Sequence, residues 1–112
     1  MTGEQLLEVS NALSALKRTY YGKGPDQAKA HLNDDLLVVA MRGGMTTVER
    51  TLIDAGQRGL VRDVRLRFQE LMTEPFSSAV AEISGRPVRT YQSQILFDPE
   101  VVVELFLLGD RG

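Results

Sequence analysis

The stretch Tyr20-Tyr21-Gly22-Lys23-Gly24-Pro25 constrains this chain more than any other. Two glycines permit positive φ or close backbone approach, and Pro25 removes a donor while pushing Gly24 out of the helical region, so no helix runs through it. Before it, Leu6, Val9, Leu13, Leu16 and Tyr20 recur at spacings of three and four, which predicts an amphipathic helix over residues 3–20 with Gly22 as its left-handed cap. Glu4 and Glu8 come early and Lys17 and Arg18 late, as the helix dipole favours. Tyr20 and Tyr21 at the helix end read best as fasteners onto a core, since tyrosine combines large buried area with a polar tip.

Beyond Pro25 the period changes. Ala28, Ala30 and Leu32 alternate with Gln27, Lys29 and His31, a weak edge strand; Asn33-Asp34 turns the chain, and residues 35–41 read as a second strand, apolar on both faces. After Gly43-Gly44, the run Thr46-Thr47-Val48-Glu49 is a capping box that opens a short helix through Ala55. A longer helical pattern follows, with Val61, Val64, Phe68, Leu71, Met72, Phe76, Ala79, Val80 and Ile83 on its apolar face. Pro75 inside it predicts a kink near Thr73, or two helices abutting there. Residues 88–97 and 101–108 form a hairpin across Asp98-Pro99-Glu100. The fold class is α+β in the order α-β-β-α-α-β-β: one domain over 1–112, with a four-stranded, mainly antiparallel sheet and its helices chiefly on one face. The second and fourth strands belong at the centre, the first at an edge.

Composition narrows the function. The 112 residues suffice for a single core, and 13 Lys plus Arg against 15 Asp plus Glu give a net charge of −2, which is no signature of nucleic-acid binding. Without cysteine there is neither a disulfide framework nor a thiolate metal site. The first residues, Met1-Thr2-Gly3-Glu4-Gln5, lack the basic and apolar regions of a signal peptide, and no apolar run nears the ~20 residues that span a bilayer, so a cytoplasmic protein without direct membrane insertion is expected. The last strand offers Val101, Val103, Leu105 and Leu107 to one face and Val102, Phe106 and Leu108 to the other. One helical layer covers only one of these, so a homodimer is expected to bury the rest.

Few residues suggest chemistry. Gly22-Lys23-Gly24 lacks the flanking strand, following helix and third glycine of a dinucleotide fingerprint, and there is no Gly-Lys-Ser/Thr of a phosphate loop. His31 is the only histidine and stands among polar alternating positions; neither a catalytic triad nor a zinc set can be assembled around it. The acidic turns at 33–35 and 98–100 lack calcium-loop spacing, so no metal site is assigned. No cofactor and no catalytic residue are indicated. Arg58, Arg62 and Arg65 share one helical face, with Arg67 beside it. They read first as a solvated face paired with Glu49, Asp54 or Glu70. The functional alternative is a small-anion site in which Gly22, Lys23 and Gly24 converge with Arg58, Arg62 and Arg65, supplying N–H donors, a point charge and a bidentate fork.

Read in order, Tyr21-Gly22-Lys23-Gly24-Pro25, Asp34 to Val39, Gly43-Gly44-Met45-Thr46-Thr47-Val48-Glu49-Arg50, Val61-Arg62-Asp63-Val64-Arg65 and Ile83-Ser84-Gly85-Arg86-Pro87-Val88 resemble the MpsC-like family over nearly the whole chain. Two positions depart from the pattern: Thr47 stands where the family has proline after Leu-Thr, and Gln94 where an acid follows the third-strand serine. The resemblance implies a connection to a sodium-translocating, membrane-potential-generating system linked to bicarbonate or carbon dioxide uptake, and brings no catalytic residues. The function it implies is a non-enzymatic soluble accessory or regulatory domain that binds a protein partner, such as a component of that membrane system, or a small anion. The alternative is an enzyme or nucleotide-binding regulator that uses the Gly22–Pro25 loop and the arginine face.

Overall fold

A computed structural model describes residues 1–110. The N-terminal helix α1 (Gly3–Tyr21) starts on a capping box, in which Thr2 accepts from Gln5 N and the Gln5 side chain accepts from Thr2 N, and stops at Gly22, whose φ of 90° places it in the left-handed region. The strands β1 (Gln27–Asn33) and β2 (Leu36–Arg42) pair antiparallel around a tight turn in which Asp34 takes φ 54°. Helix α2 (Thr47–Asp54) carries the capping box expected at Thr46 and Glu49.

The long helical pattern is two helices, α3 (Arg58–Leu71) and α4 (Thr73–Ser84), abutting at Met72. Pro75 falls in the first turn of α4, where its missing N–H would have had no intrahelical partner. The break therefore comes just before the proline, and the described residues form four helices. The strands β3 (Val88–Leu96) and β4 (Val101–Leu108) complete the chain around a turn with a cis Asp98-Pro99 bond.

All pairings are antiparallel in the order β1-β2-β4-β3, with β2 and β4 central and β1 at an edge, as their apolar content predicts. The register opposes Leu37 to Phe106, Val39 to Glu104 and Met41 to Val102, while Tyr91 and Ile95 of β3 stand beside Phe106 and Val102. Because strand side chains alternate, these residues share the face that receives the helices. Val9 and Leu13 of α1, Met72 between α3 and α4, and Phe76 and Val80 of α4 close the core over them. The inward face of α3 is turned from the expected one. Val61 is buried as expected, but Val64 and Leu71 are exposed and Arg65 and Gln69 point inside in their place, because Arg65 finds a buried carboxylate there.

The other face carries Leu36, Val38 and Ala40 of β2 opposite Leu107, Leu105 and Val103 of β4. Lys29 and His31 flank this stripe on β1, and Gln92 and Gln94 on β3. Among the described residues no helix packs across it, and Leu36, Leu107 and Leu96 are 38%, 41% and 54% exposed.

Candidate functional site: an interior charge network and an arginine cleft

The polar interior is built on Glu49. As N3 residue of α2 its carboxylate accepts from Thr46 N at 2.9 Å and Thr46 Oγ1 at 3.0 Å; it also takes Arg65 Nε at 2.6 Å, Arg65 Nη2 at 3.1 Å, and the Tyr21 hydroxyl. One carboxylate thus ends α2, ties it to α3 and clamps α1. Burial alone would raise the Glu49 carboxyl, but the hydrogen bonds from Arg65, Thr46 and Tyr21 hold it at about 2. Tyr21 stacks edge-on against Phe68 with centroids 4.6 Å apart, and burial together with Glu49 pushes its hydroxyl well above the ordinary tyrosine range. Arg65 Nη2 also donates to Gly44 O at 3.3 Å and approaches Glu100 at 3.7 Å.

A second carboxylate lies deeper. Glu104, 1% exposed on the inward face of β4, accepts from the Tyr91 hydroxyl, and burial pushes its carboxyl up to about 7 against the hydrogen bond from Tyr91. The Lys17 ammonium is buried as well. Desolvation, reinforced by the Arg65 charge, lowers it to about 8, with Glu104 and Glu100 acting in the opposite sense.

The loop 22–24 is packed rather than open. Gly24 lies against the backbone of Ser14, where a Cβ would meet Ser14 O at 3.1 Å, and a Cβ on Gly44 (φ 84°) would meet Gly24 O at the same distance. Lys23 Nζ donates to Met45 O at 3.0 Å. Of the candidate anion-site residues, Lys23 and Arg65 thus reach neighbouring carbonyls of the Gly44-Met45 segment, while Gly22 caps α1. Arg58 and Arg62 lie elsewhere, their guanidinium carbons 5.2 Å and 5.7 Å from the centre of the Phe97 ring. With Arg42 they line an open cleft of about 490 Å3 whose apolar walls include Leu96, Pro99 and Val101. Arg58 pairs with Asp98 at 3.0 Å, and among the described residues Arg42 and Arg62 form no ion pair.

Several of these residues escaped the sequence reading although a signal was present. Lys17 is four positions after Leu13 and eight after Val9, so it continues the buried stripe of α1. Glu104 has the parity of Val102 and Phe106 and is the only charge in its strand. Gln69 follows Arg65 by one turn and is 4% exposed. Arg42 carried no signal, since only the chain path through Phe97 brings it to α3.

The fold and these sites define a class: a two-layer α+β domain with a charged interior and one uncovered sheet face. A sequence model of the family described as Na+-translocating membrane potential-generating system (MpsC) matches residues 2–110, and the chain belongs to that family. Neither the curated proteins nor the solved structures give a match. Among the described residues no helix is long and apolar enough to cross a membrane.

Proposed function

We propose that the domain is a non-catalytic accessory component, cytoplasmic and attached by function to a Na+-dependent membrane system, that works by association, pairing with a second copy of itself through the uncovered sheet face. The family supplies the link to the membrane system. The observation that carries the association is the stripe formed by Leu36, Val38, Ala40, Val103, Leu105 and Leu107, which has polar strands on both sides and no helix over it. Four strands about 4.8 Å apart, each presenting about 23 Å, make a planar patch of roughly 440 Å2. An ordinary stable interface buries about 800 Å2 per partner, so residues at the rim of the sheet must add to this face. Packing two such faces with their strands aligned would set the Lys29 and His31 edge against the glutamine edge of the other copy, with no like charges opposed.

A non-catalytic role is supported by how the interior spends its chemistry. Glu49 accepts from Tyr21 and Arg65, Glu49 and Arg65 also hydrogen-bond the backbone of the β2–α2 loop at Thr46 and Gly44, and Arg65 is 1% exposed. Sedimentation at micromolar concentration tests the proposal. The wild type should run as a dimer and the Leu36→Glu/Leu107→Glu variant, altered at two facing exposed positions, as a folded monomer. A monomeric wild type refutes the pairing.

A further inference from the structure

We infer that the arginine cleft beside Phe97 is a docking site for an acidic peptide segment of another protein, one that places an apolar side chain between its carboxylates. Three cations from two elements, Arg42 of β2 and Arg58 and Arg62 of α3, face a cleft in which Asp98 is the one acid among the described lining residues. The chain as a whole has a net charge of −2, so this is a local concentration of positive charge on a mildly acidic molecule. Arg58 and Arg62 stand one helical turn apart, and both lie against Phe97, which limits their rotamers before any ligand arrives. A guanidinium held in this way loses less freedom on binding and presents its planar fork to a carboxylate.

The cleft already displays this recognition. The Asp98 carboxylate accepts from Arg58 Nη2 at 3.0 Å, with side chains 52% and 79% exposed, so the pair is weak and open to exchange with an incoming acid. Arg42 and Arg62 have no such partner within the described chain.

The apolar walls decide the ligand class. A lone phosphate would occupy one or two forks and leave Leu96 and Pro99 wet, whereas a strand of alternating acidic and apolar residues covers them while reaching all three cations. A cleft of about 490 Å3 has the volume for two or three side chains. A nucleic acid would bring a long run of phosphates toward a chain of net negative charge, and a flat lipid surface would not enter a concavity. The site is separable from the self-association proposed above. Arg42, Leu96 and Val101 border both, but Arg58 and Arg62 belong to α3 and are absent from the open sheet face.

Fluorescence anisotropy tests the assignment, with a fluorescein-labelled peptide alternating glutamate and leucine as probe. The wild type should bind it saturably and more weakly as salt rises, and Arg58→Glu/Arg62→Glu should bind at least about tenfold more weakly, a loss of two charge-assisted contacts, with sedimentation and melting temperature unchanged. Arg58→Gln/Arg62→Gln should fall between them. The inference is overturned if the glutamate variant binds as the wild type does, if the probe shows no saturation up to millimolar protein, or if an all-glutamate peptide or inorganic phosphate competes as well as the alternating peptide.

Discussion

Replacing Glu49 by glutamine isolates the charge at the centre of the interior network while keeping its shape. Arg65 is 1% exposed and Glu49 5%, so the variant leaves a guanidinium inside the protein with only Glu100, 3.7 Å away and not hydrogen-bonded, as counter-charge. The new amide can accept at only one of its two ends, so either Arg65 Nε and the Tyr21 hydroxyl, or Thr46 N and Arg65 Nη2, must face an NH2 group. Breaking a buried pair from one side costs about 3–5 kcal/mol, a large share of the about 5–15 kcal/mol that stabilises an ordinary domain. With a melting entropy of about 2.1 cal/mol/K per residue, that loss lowers the melting temperature by about 12–20 °C. Urea titration followed by circular dichroism measures it directly. The double variant Glu49→Gln/Arg65→Met should recover much of the loss, because the stranded charge is gone, so the double-mutant cycle should show strong coupling. A loss below about 1 kcal/mol for Glu49→Gln, or additive effects in the cycle, would refute the account of Glu49 as the residue that holds α1, α2 and α3 together.

Glu104 supplies a pH test. Its folded value, about 7, lies above the ordinary carboxyl value of 4.5, so its contribution is complete below pH 4.5 and lost as pH rises to about 7, on the order of 3 kcal/mol. Glu104→Gln should flatten the fall of the urea midpoint between pH 5 and pH 8; an undiminished fall would assign it to other groups. Glycine positions give a test of opposite signs. Gly44→Ala, at φ 84° with the backbone of Gly24 and Pro25 about to collide, should cost about 1–3 kcal/mol, whereas Gly59→Ala, in open space within α3, should gain about 0.5–1 kcal/mol in the same titration. Equal effects at the two sites would contradict the close approach of the two loops.

The fold was legible where one local rule acted alone. Gly22 stops α1, the Thr46–Glu49 box starts α2, and the apolar runs put β2 and β4 at the centre of the sheet. The site was legible only in part, because burial of a charge depends on partners far away in sequence. Arg65 reads as one of three surface arginines until Glu49, sixteen positions earlier, reaches it from another helix. The same separation assigned Val64 and Leu71 to the wrong side of α3, since hydrophobic periodicity does not anticipate a helix that buries Arg65 and Gln69. Arg58 and Arg62 were recognisable as a pair and the Asp98-Pro99-Glu100 turn was placed correctly along the chain, but that α3 packs beside this turn, where Arg42 meets the pair at Phe97, follows from tertiary contacts that no local pattern carries.

The order of strands has a consequence for the chain as it is made. β2 pairs with β4, so Met41 waits for Val102, about sixty residues later, while β1 and β2 can pair as soon as both exist. Until β4 emerges, the hairpin presents Leu37, Val39 and Met41 beside an unpaired backbone edge, which is an invitation to any other strand in reach. Two copies growing side by side would meet at that edge before either could close its own sheet. The hairpin therefore stays open over about half of the chain's length as it is made, and the yield of folded protein will depend on the speed at which the last strand arrives as much as on the stability of the finished domain.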